Sequence, residues 1–296
     1  MSSGTDWLSR PHVGLVDDTA HRFTVGEEFA RAVAGKIGSD GVVVTYRTHL
    51  TSAFPLFAQR PRYAVRDLVK TASAGDRPAN YVRETIGANS HPARDRQSYS
   101  GTREARARTD LVERPMTDIQ VDVDIPTDLL GHTAQLAHFV DYRVLVRLSV
   151  RENETLLHGS GDGAVTGLLQ EDGIRRHERI FDGVEDLVYR LAAEVEEAGG
   201  SFDGLIVHPQ QYWDLVRSGT LARLTAVGIK ASRTRMIPAG QVMLGDFSAA
   251  ATMFLPRIGS VELRGNGDGP QSQIRASARF GFAVPLPDHL IVARTN

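Results

Sequence analysis

Asp203-Gly204-Leu205-Ile206-Val207-His208-Pro209, then Tyr212-Trp213-Asp214-Leu215, then Ile237-Pro238-Ala239-Gly240-Gln241-Val242-Met243-Leu244-Gly245-Asp246-Phe247 is the stretch whose reading decides the fold. The unbroken apolar run Leu205 to Val207, stopped by a proline, predicts a buried strand, and Gln210 to Arg217 predicts a helix after it. Upstream, Val184, Leu187, Val188, Leu191 and Val195 line one face of a helix predicted from Gly183 to Ala198, which Gly199-Gly200 ends. Helix, strand and helix make an αβα unit, and short strands are expected from there to the C-terminus. The alternating stretch Gln273 to Val284, closed by Pro285 and Pro287, reads as a paired strand.

Further upstream, Leu136, Val140, Val144 and Leu148 recur every fourth residue with Phe139 and Leu145 beside them, predicting one long helix from Thr133 to Leu157. At 1.5 Å per residue it spans about 37 Å. Pro126-Thr127-Asp128 opens this helical region and Gly131 interrupts it. Gly159-Ser160-Gly161-Asp162-Gly163-Ala164-Val165-Thr166-Gly167 ends it. That glycine-rich run follows a helix rather than a strand and carries no Gly-Lys-Ser/Thr, so it reads as a turn and not as a phosphate cradle. Ile119, Val121, Val123 and Ile125 alternate with Gln120, Asp122 and Asp124 as in a strand. This puts both aspartates on one solvated face, with no His or Lys to make them an acid-base pair.

The first 76 residues read as an arm. Thr24 and Glu27 have capping-box spacing, and Val25, Phe29, Val33 and Ile37 follow at helical intervals up to Gly38-Ser39-Asp40-Gly41. Val42-Val43-Val44 is a short strand, Pro55 to Pro61 an extended tract, and Tyr63 to Val69 a further helical turn. From Arg77 to Pro115 the chain is polar, with a strand at Tyr81-Val82-Arg83-Glu84 and a turn at Ala88-Asn89-Ser90-His91-Pro92. Six arginines (Arg94, Arg96, Arg103, Arg106, Arg108, Arg114) and the acids Asp95, Glu104, Asp110 and Glu113 crowd its second half. Such a segment has too little apolar surface to bury itself; it is a disordered loop, a solvated hairpin, or a hairpin resting on a second subunit.

Composition excludes several functions. There is no cysteine, hence no disulfide, thiolate metal site or cysteine nucleophile. The ten histidines form no helical metal pair; His132 and His138 are six apart and on different faces. No apolar run reaches membrane-span length, and the start, Met1-Ser2-Ser3-Gly4-Thr5-Asp6, is not that of a signal peptide, so a cytosolic site of synthesis is expected. A net charge of -2 gives no global field for nucleic acid, so any DNA contact is local and without sequence specificity.

The order of these elements resembles the major capsid protein family of tailed bacteriophages, whose shell fold is named after phage Hong Kong 97. Leu156-Leu157-His158-Gly159-Ser160-Gly161-Asp162-Gly163 leading to Thr166-Gly167-Leu168-Leu169 is similar to the family's glycine-rich turn after its long helix, and Gly245-Asp246-Phe247 to its strand end. The resemblance covers roughly Arg77 to Arg294. It implies an α+β fold with an N-terminal arm and leading helix at 1–76 and an extended loop at 77–116. A peripheral domain with a spine helix would be formed by 117–162 with 251–285, and an axial domain by 163–250 with 286–296. It further implies self-assembly through pentamers and hexamers into an icosahedral shell around double-stranded DNA, in a virion assembled in the bacterial cytoplasm. A portal would be a partner, the presence of a decoration protein is left open, and no cofactor or metal is called for. Arg94, Arg96, Arg103, Arg106, Arg108, Arg114, Glu104, Asp110 and Glu113 would then lie between subunits. Only about 76 residues precede the loop, which points to a separate scaffolding protein rather than a built-in assembly domain. The lysines are Lys36, Lys70 and Lys230 alone, so the loop holds none for a covalent link between subunits.

Two other readings compete. An encapsulin-like compartment would use the same fold to hold a cargo enzyme. A small cytosolic α/β hydrolase would use Ser160, His208 or Asp246, but Gly159-Ser160-Gly161 lacks the spacing of a nucleophile elbow and follows a helix.

Overall fold

The computed structural model describes residues 24–35, 41–46, 65–74, 78–85, 108–255, 259–264 and 271–296. Helix α1 (Val25–Ala34) starts as the capping-box spacing predicts: Thr24 Oγ1 accepts the Glu27 amide at 3.1 Å, and Glu27 returns the bond to the Thr24 amide at 2.9 Å. Its apolar face, Val25, Phe29 and Val33, is buried. Then come β1 (Val43–Tyr46), a hydrogen-bonded turn at 65–68, β2 (Lys70–Ser73), and the two strands of a hairpin, β3 (Ala79–Thr85) and β4 (Arg108–Arg114). The residues joining β3 to β4 lie outside those described, as do the extended tract, the turn at 88–92 and the far end of the leading helix pattern.

Strand β5 (Thr117–Pro126) keeps the alternation of its sequence, with Ile119 and Ile125 buried and the aspartates outside. A 3-10 turn at Thr127–Gly131 leads into α2 (Thr133–Phe139) and α3 (Leu145–His158). The helix expected from Thr133 to Leu157 is therefore continuous, but it is not α-helical throughout. Val140–Val144 form a π turn, in which the Leu145 amide reaches back to the Val140 carbonyl. Widening one turn lets Val140, Asp141 and Val144 all point inward, at a kind of irregularity often found where a helix does something specific. At the far end, the amides of Leu168 and Leu169 donate to the carbonyls of Leu156 and Leu157 at 2.9 and 3.0 Å, satisfying groups that the helix leaves open. Gly167 is needed there: a Cβ would sit 2.4 Å from the Leu157 carbonyl oxygen.

The remaining elements are β6 (Arg175–Phe181), α4 (Val184–Glu197), β7 (Gly204–Val207), α5 (Pro209–Arg217), α6 (Thr220–Ala226), β8 (Lys230–Arg233), β9 (Gln241–Gly245), α7 (Phe247–Ala250), β10 (Thr252–Leu255), β11 (Gly259–Arg264), β12 (Gln271–Ala283) and β13 (Leu290–Thr295). Strand β6 and helix α6 were not expected from the sequence. The alternating stretch Gln273 to Val284 is found as β12, a strand of 13 residues paired on both sides.

Two main sheets result. The first runs β1-β11-β12-β10-β2 with β5 also on β12, and the second runs β6-β13-β9-β7-β8. The inner strands of the second sheet, β7 and β9, are buried on both faces. Leu205, Val207, Val242 and Leu244 pack with Leu187 and Leu191 of α4, while the alternate residues Ile206 and Met243 join the larger core around Leu136, Val140, Leu156 and Phe280. That is why the sequence there reads as solid apolar runs instead of an alternation.

Candidate assembly surface

The hairpin forms a two-stranded sheet of its own, with Val82 opposite Leu111, Arg83 opposite Asp110 and Ala79 opposite Arg114. Residues directly opposite each other share a face. One face, with Ala79, Arg83 and Arg114, is turned toward the chain's own body. Ala79 is buried, and a Cβ on Gly281 would lie 3.3 Å from its methyl. The Arg83 guanidinium pairs with Glu171 at 2.8 Å, the two side chains being 14% and 5% exposed, and also donates to the Asp172 carbonyl. Burial holds the Glu171 carboxyl above the usual range, against the pull of Arg83 and Arg114. The Glu84 amide donates to Pro285 O at 2.9 Å.

Among the described residues the other face has no such partners. Val82 and Leu111 are 54% and 80% exposed, with Asn80, Thr109 and Glu113 exposed around them. The residues proposed from sequence as intersubunit contacts thus do not share one place. Glu113 is on the outward face; Arg114 is on the inward face near Glu171; Asp110 is exposed and opposite Arg83. Arg108 opens β4, and Arg94, Arg96, Arg103, Glu104 and Arg106 lie outside the described residues. Sequence reading missed the pair Val82/Leu111, which becomes visible only once the register is known, and Arg83, whose partner is distant along the chain.

Two other sets of contacts hold residues 24–26 and 65–66 to α2, the π turn and α3. Asp141, on the π turn, accepts from the Gly26 amide at 2.8 Å and from Thr24 Oγ1, and burial raises its carboxyl above the usual range. Glu152 of α3 forms a buried fork with Arg66, while Asn153 Oδ1 accepts from the Val65 amide at 3.2 Å. Desolvation raises Glu152 as well, partly offset by Arg66.

Among the described residues the carboxylates, serine and histidine singled out from the sequence are engaged in structural bonds. Asp122 is bonded to Arg275 at 2.6 and 2.8 Å, and Asp124 accepts from Gln273 at 3.0 Å, so each is paired across to β12 on the surface. Ser160 bonds Asp162 within its own turn, His208 caps α5, and Asp246 caps α7 and accepts from the Ser201 amide. Each candidate of the hydrolase reading is occupied with local structure. Among the described residues no three His, Asp or Glu side chains gather as a metal site, and no helix is long and apolar enough to cross a membrane.

No protein-family model and no curated protein matches the chain. Solved structures do match. The virus-like particle from Pyrococcus furiosus is similar with a TM-score of 0.56 at 13% identity, over 81% of this chain and 100% of the other. A chain of Mycobacterium phage Adephagia is similar at 0.54 and 13%, over 79% and 90%. The holo-SrpI encapsulin complex from Synechococcus elongatus is similar at 0.52 and 15%, over 79% and 87%. The chain has the Hong Kong 97-like capsid fold.

Proposed function

We propose that the chain is the major capsid protein of a tailed phage or prophage, a structural subunit and not an enzyme, which closes into an icosahedral shell around double-stranded DNA. The observation that carries this reading is a fold likeness spanning the full length of a particle-forming chain. The exposed outward face of the hairpin agrees with it, because an exposed apolar pair such as Val82 and Leu111 would gain by burial against a second molecule. In this reading the sheet containing β12 and the spine helix is the peripheral domain, and the sheet containing β9 is the axial domain at the centre of pentamers and hexamers. The hairpin lies over an adjacent subunit. A separate scaffolding protein and a portal are the expected partners, with or without a decoration protein, and the virion is the place of action.

Electron microscopy of the protein expressed with its scaffold tests this. Hollow icosahedral particles are expected; a strictly monomeric protein under all such conditions overturns the reading. The similarity to an encapsulin complex makes a cargo compartment the second reading. Particle contents separate the two: nuclease-protected double-stranded DNA belongs to a phage shell, and a co-purifying enzyme to a compartment.

A further inference from the structure

From the geometry at the base of the hairpin we infer that the Arg83–Glu171 pair is a positioning clamp, which fixes the angle between the hairpin and the body and so aims the outward face bearing Val82 and Leu111. A two-stranded ribbon has little stability of its own and takes its direction from whatever holds its base. Contacts among the described residues do so here. Ala79 against Gly281 and the Glu84 amide on Pro285 tie β3 to the end of β12 and to the segment that follows it. Arg83 instead reaches the segment that leads into β6, and so ties the ribbon to the second sheet.

Anchored to one sheet the hairpin has an axis to swing about; anchored to both it has a direction. Arg83 also has Asp110 opposite it on the next strand, an exposed carboxylate that would give an ordinary cross-strand pair. Its guanidinium goes to the nearly buried Glu171 and to the Asp172 carbonyl. Gly173, at φ +85°, turns the chain there, with Arg83 Nη2 and Pro287 against it. A charge pair buried in this way adds little net stability, since desolvation opposes the attraction, but it penalises every orientation that separates the partners. It is suited to setting direction more than to holding the fold.

That the aimed face docks on a second copy rests on the capsid reading; the aiming itself does not. The native chain has no cysteine, so Thr109→Cys and Val227→Cys, both at exposed positions, give one clean pair of spin labels. Labelled chain is diluted into unlabelled chain so that only intramolecular distances are read. A single narrow distance distribution is expected, and its loss in Arg83→Ala and in Glu171→Gln, with the cooperative melt retained. A distribution that stays narrow in the variants overturns the clamp. Should Arg83→Ala fail to fold, the nearly isosteric Glu171→Gln decides. If the unlabelled native chain forms no particles, the capsid reading falls while the distance measurement still judges the clamp.

Discussion

Asp141 accepts the amide of Gly26 at 2.8 Å, joining the π turn between α2 and α3 to the first turn of α1. The approach is close: a Cβ on Gly26 would lie 2.1 Å from the Ala137 carbonyl oxygen. Helix α1 is therefore seated on α2 and the π turn by a carboxylate and a missing side chain together. Replacing Asp141 by Ala leaves a buried amide and the Thr24 hydroxyl without their acceptor, which costs about 1–3 kcal/mol. Gly26→Ala should be destabilising through overpacking, again by about 1–3 kcal/mol. Urea unfolding of both variants checks this; midpoints equal to that of the native chain would contradict the seating.

The same carboxylate predicts a pH dependence. Burial raises the folded-state pKa of Asp141 above its unfolded value, so the folded state holds the proton more firmly. Stability from this group is fully present below the unfolded value and declines as pH rises through the raised one, the reverse of an exposed paired aspartate such as Asp122, which Arg275 lowers. Asp141→Asn does not titrate. The stability difference between native chain and Asp141→Asn should accordingly shift in favour of the native chain on acidification from neutrality toward pH 4. A constant difference, measured by urea titration across that range, would contradict the assignment.

Glu152 and Arg66 allow a different test, because here both charges are buried. Glu152→Ala strands the guanidinium and should cost about 3–5 kcal/mol, whereas Arg66→Met with Glu152→Leu should cost far less, or nothing. A double-mutant cycle by denaturant unfolding reads the difference. Strict additivity of the single changes would show that the two side chains do not act as a pair.

These clamps also mark the limit of what the sequence discloses. The spine was legible because Leu136, Val140, Val144 and Leu148 repeat at a fixed interval, yet that same interval hides the π turn that seats Asp141. Strands β5 and β12 were legible by alternation, and the register that sets Asp122 against Arg275 explains why the aspartates looked like an isolated acidic face. Strand β6, Arg-Arg-His-Glu-Arg-Ile-Phe, carries almost no apolar signal because it is an edge strand exposed along most of its length. Helix α6 is seven residues long and buries little beyond Leu224, too short a window for a period to show. The hairpin was visible as a segment with no core of its own. Its anchor was not, since Arg83 and Glu171 are far apart in the sequence, with β4, β5 and the long helix between them.

If the outward face of the hairpin docks on a neighbour, Val82→Ser with Leu111→Ser should leave the subunit's melt unchanged and abolish assembly. Reversal of Arg103, Arg106 and Arg108 to Glu should also block assembly. Each exposed pair is worth only about 0.2–1 kcal/mol, but the loss is repeated at every contact of the shell. Light scattering and thermal melts distinguish the outcomes. A lost cooperative melt, or normal particles from the serine variant, would contradict this role.

Mature particles should be held without covalent links between chains. An isopeptide bond needs an uncharged lysine amine beside an Asn or Asp side chain in a dry pocket, with a carboxylate to move the proton. The hairpin segment from Arg77 to Arg114 contains no lysine, and its guanidinium groups stay protonated and are poor nucleophiles. Lys70 is exposed at the start of β2, and Lys230, also exposed, faces the Asp67 carbonyl at 3.5 Å, which is not an acceptor for amide formation. Cohesion then rests on apolar burial, strand pairing and ion pairs, all of which detergent and heat undo. Boiled particles should run as one band at the 32.3 kDa of the subunit; a ladder of multiples would show that one of the three lysines reaches a partner across the interface.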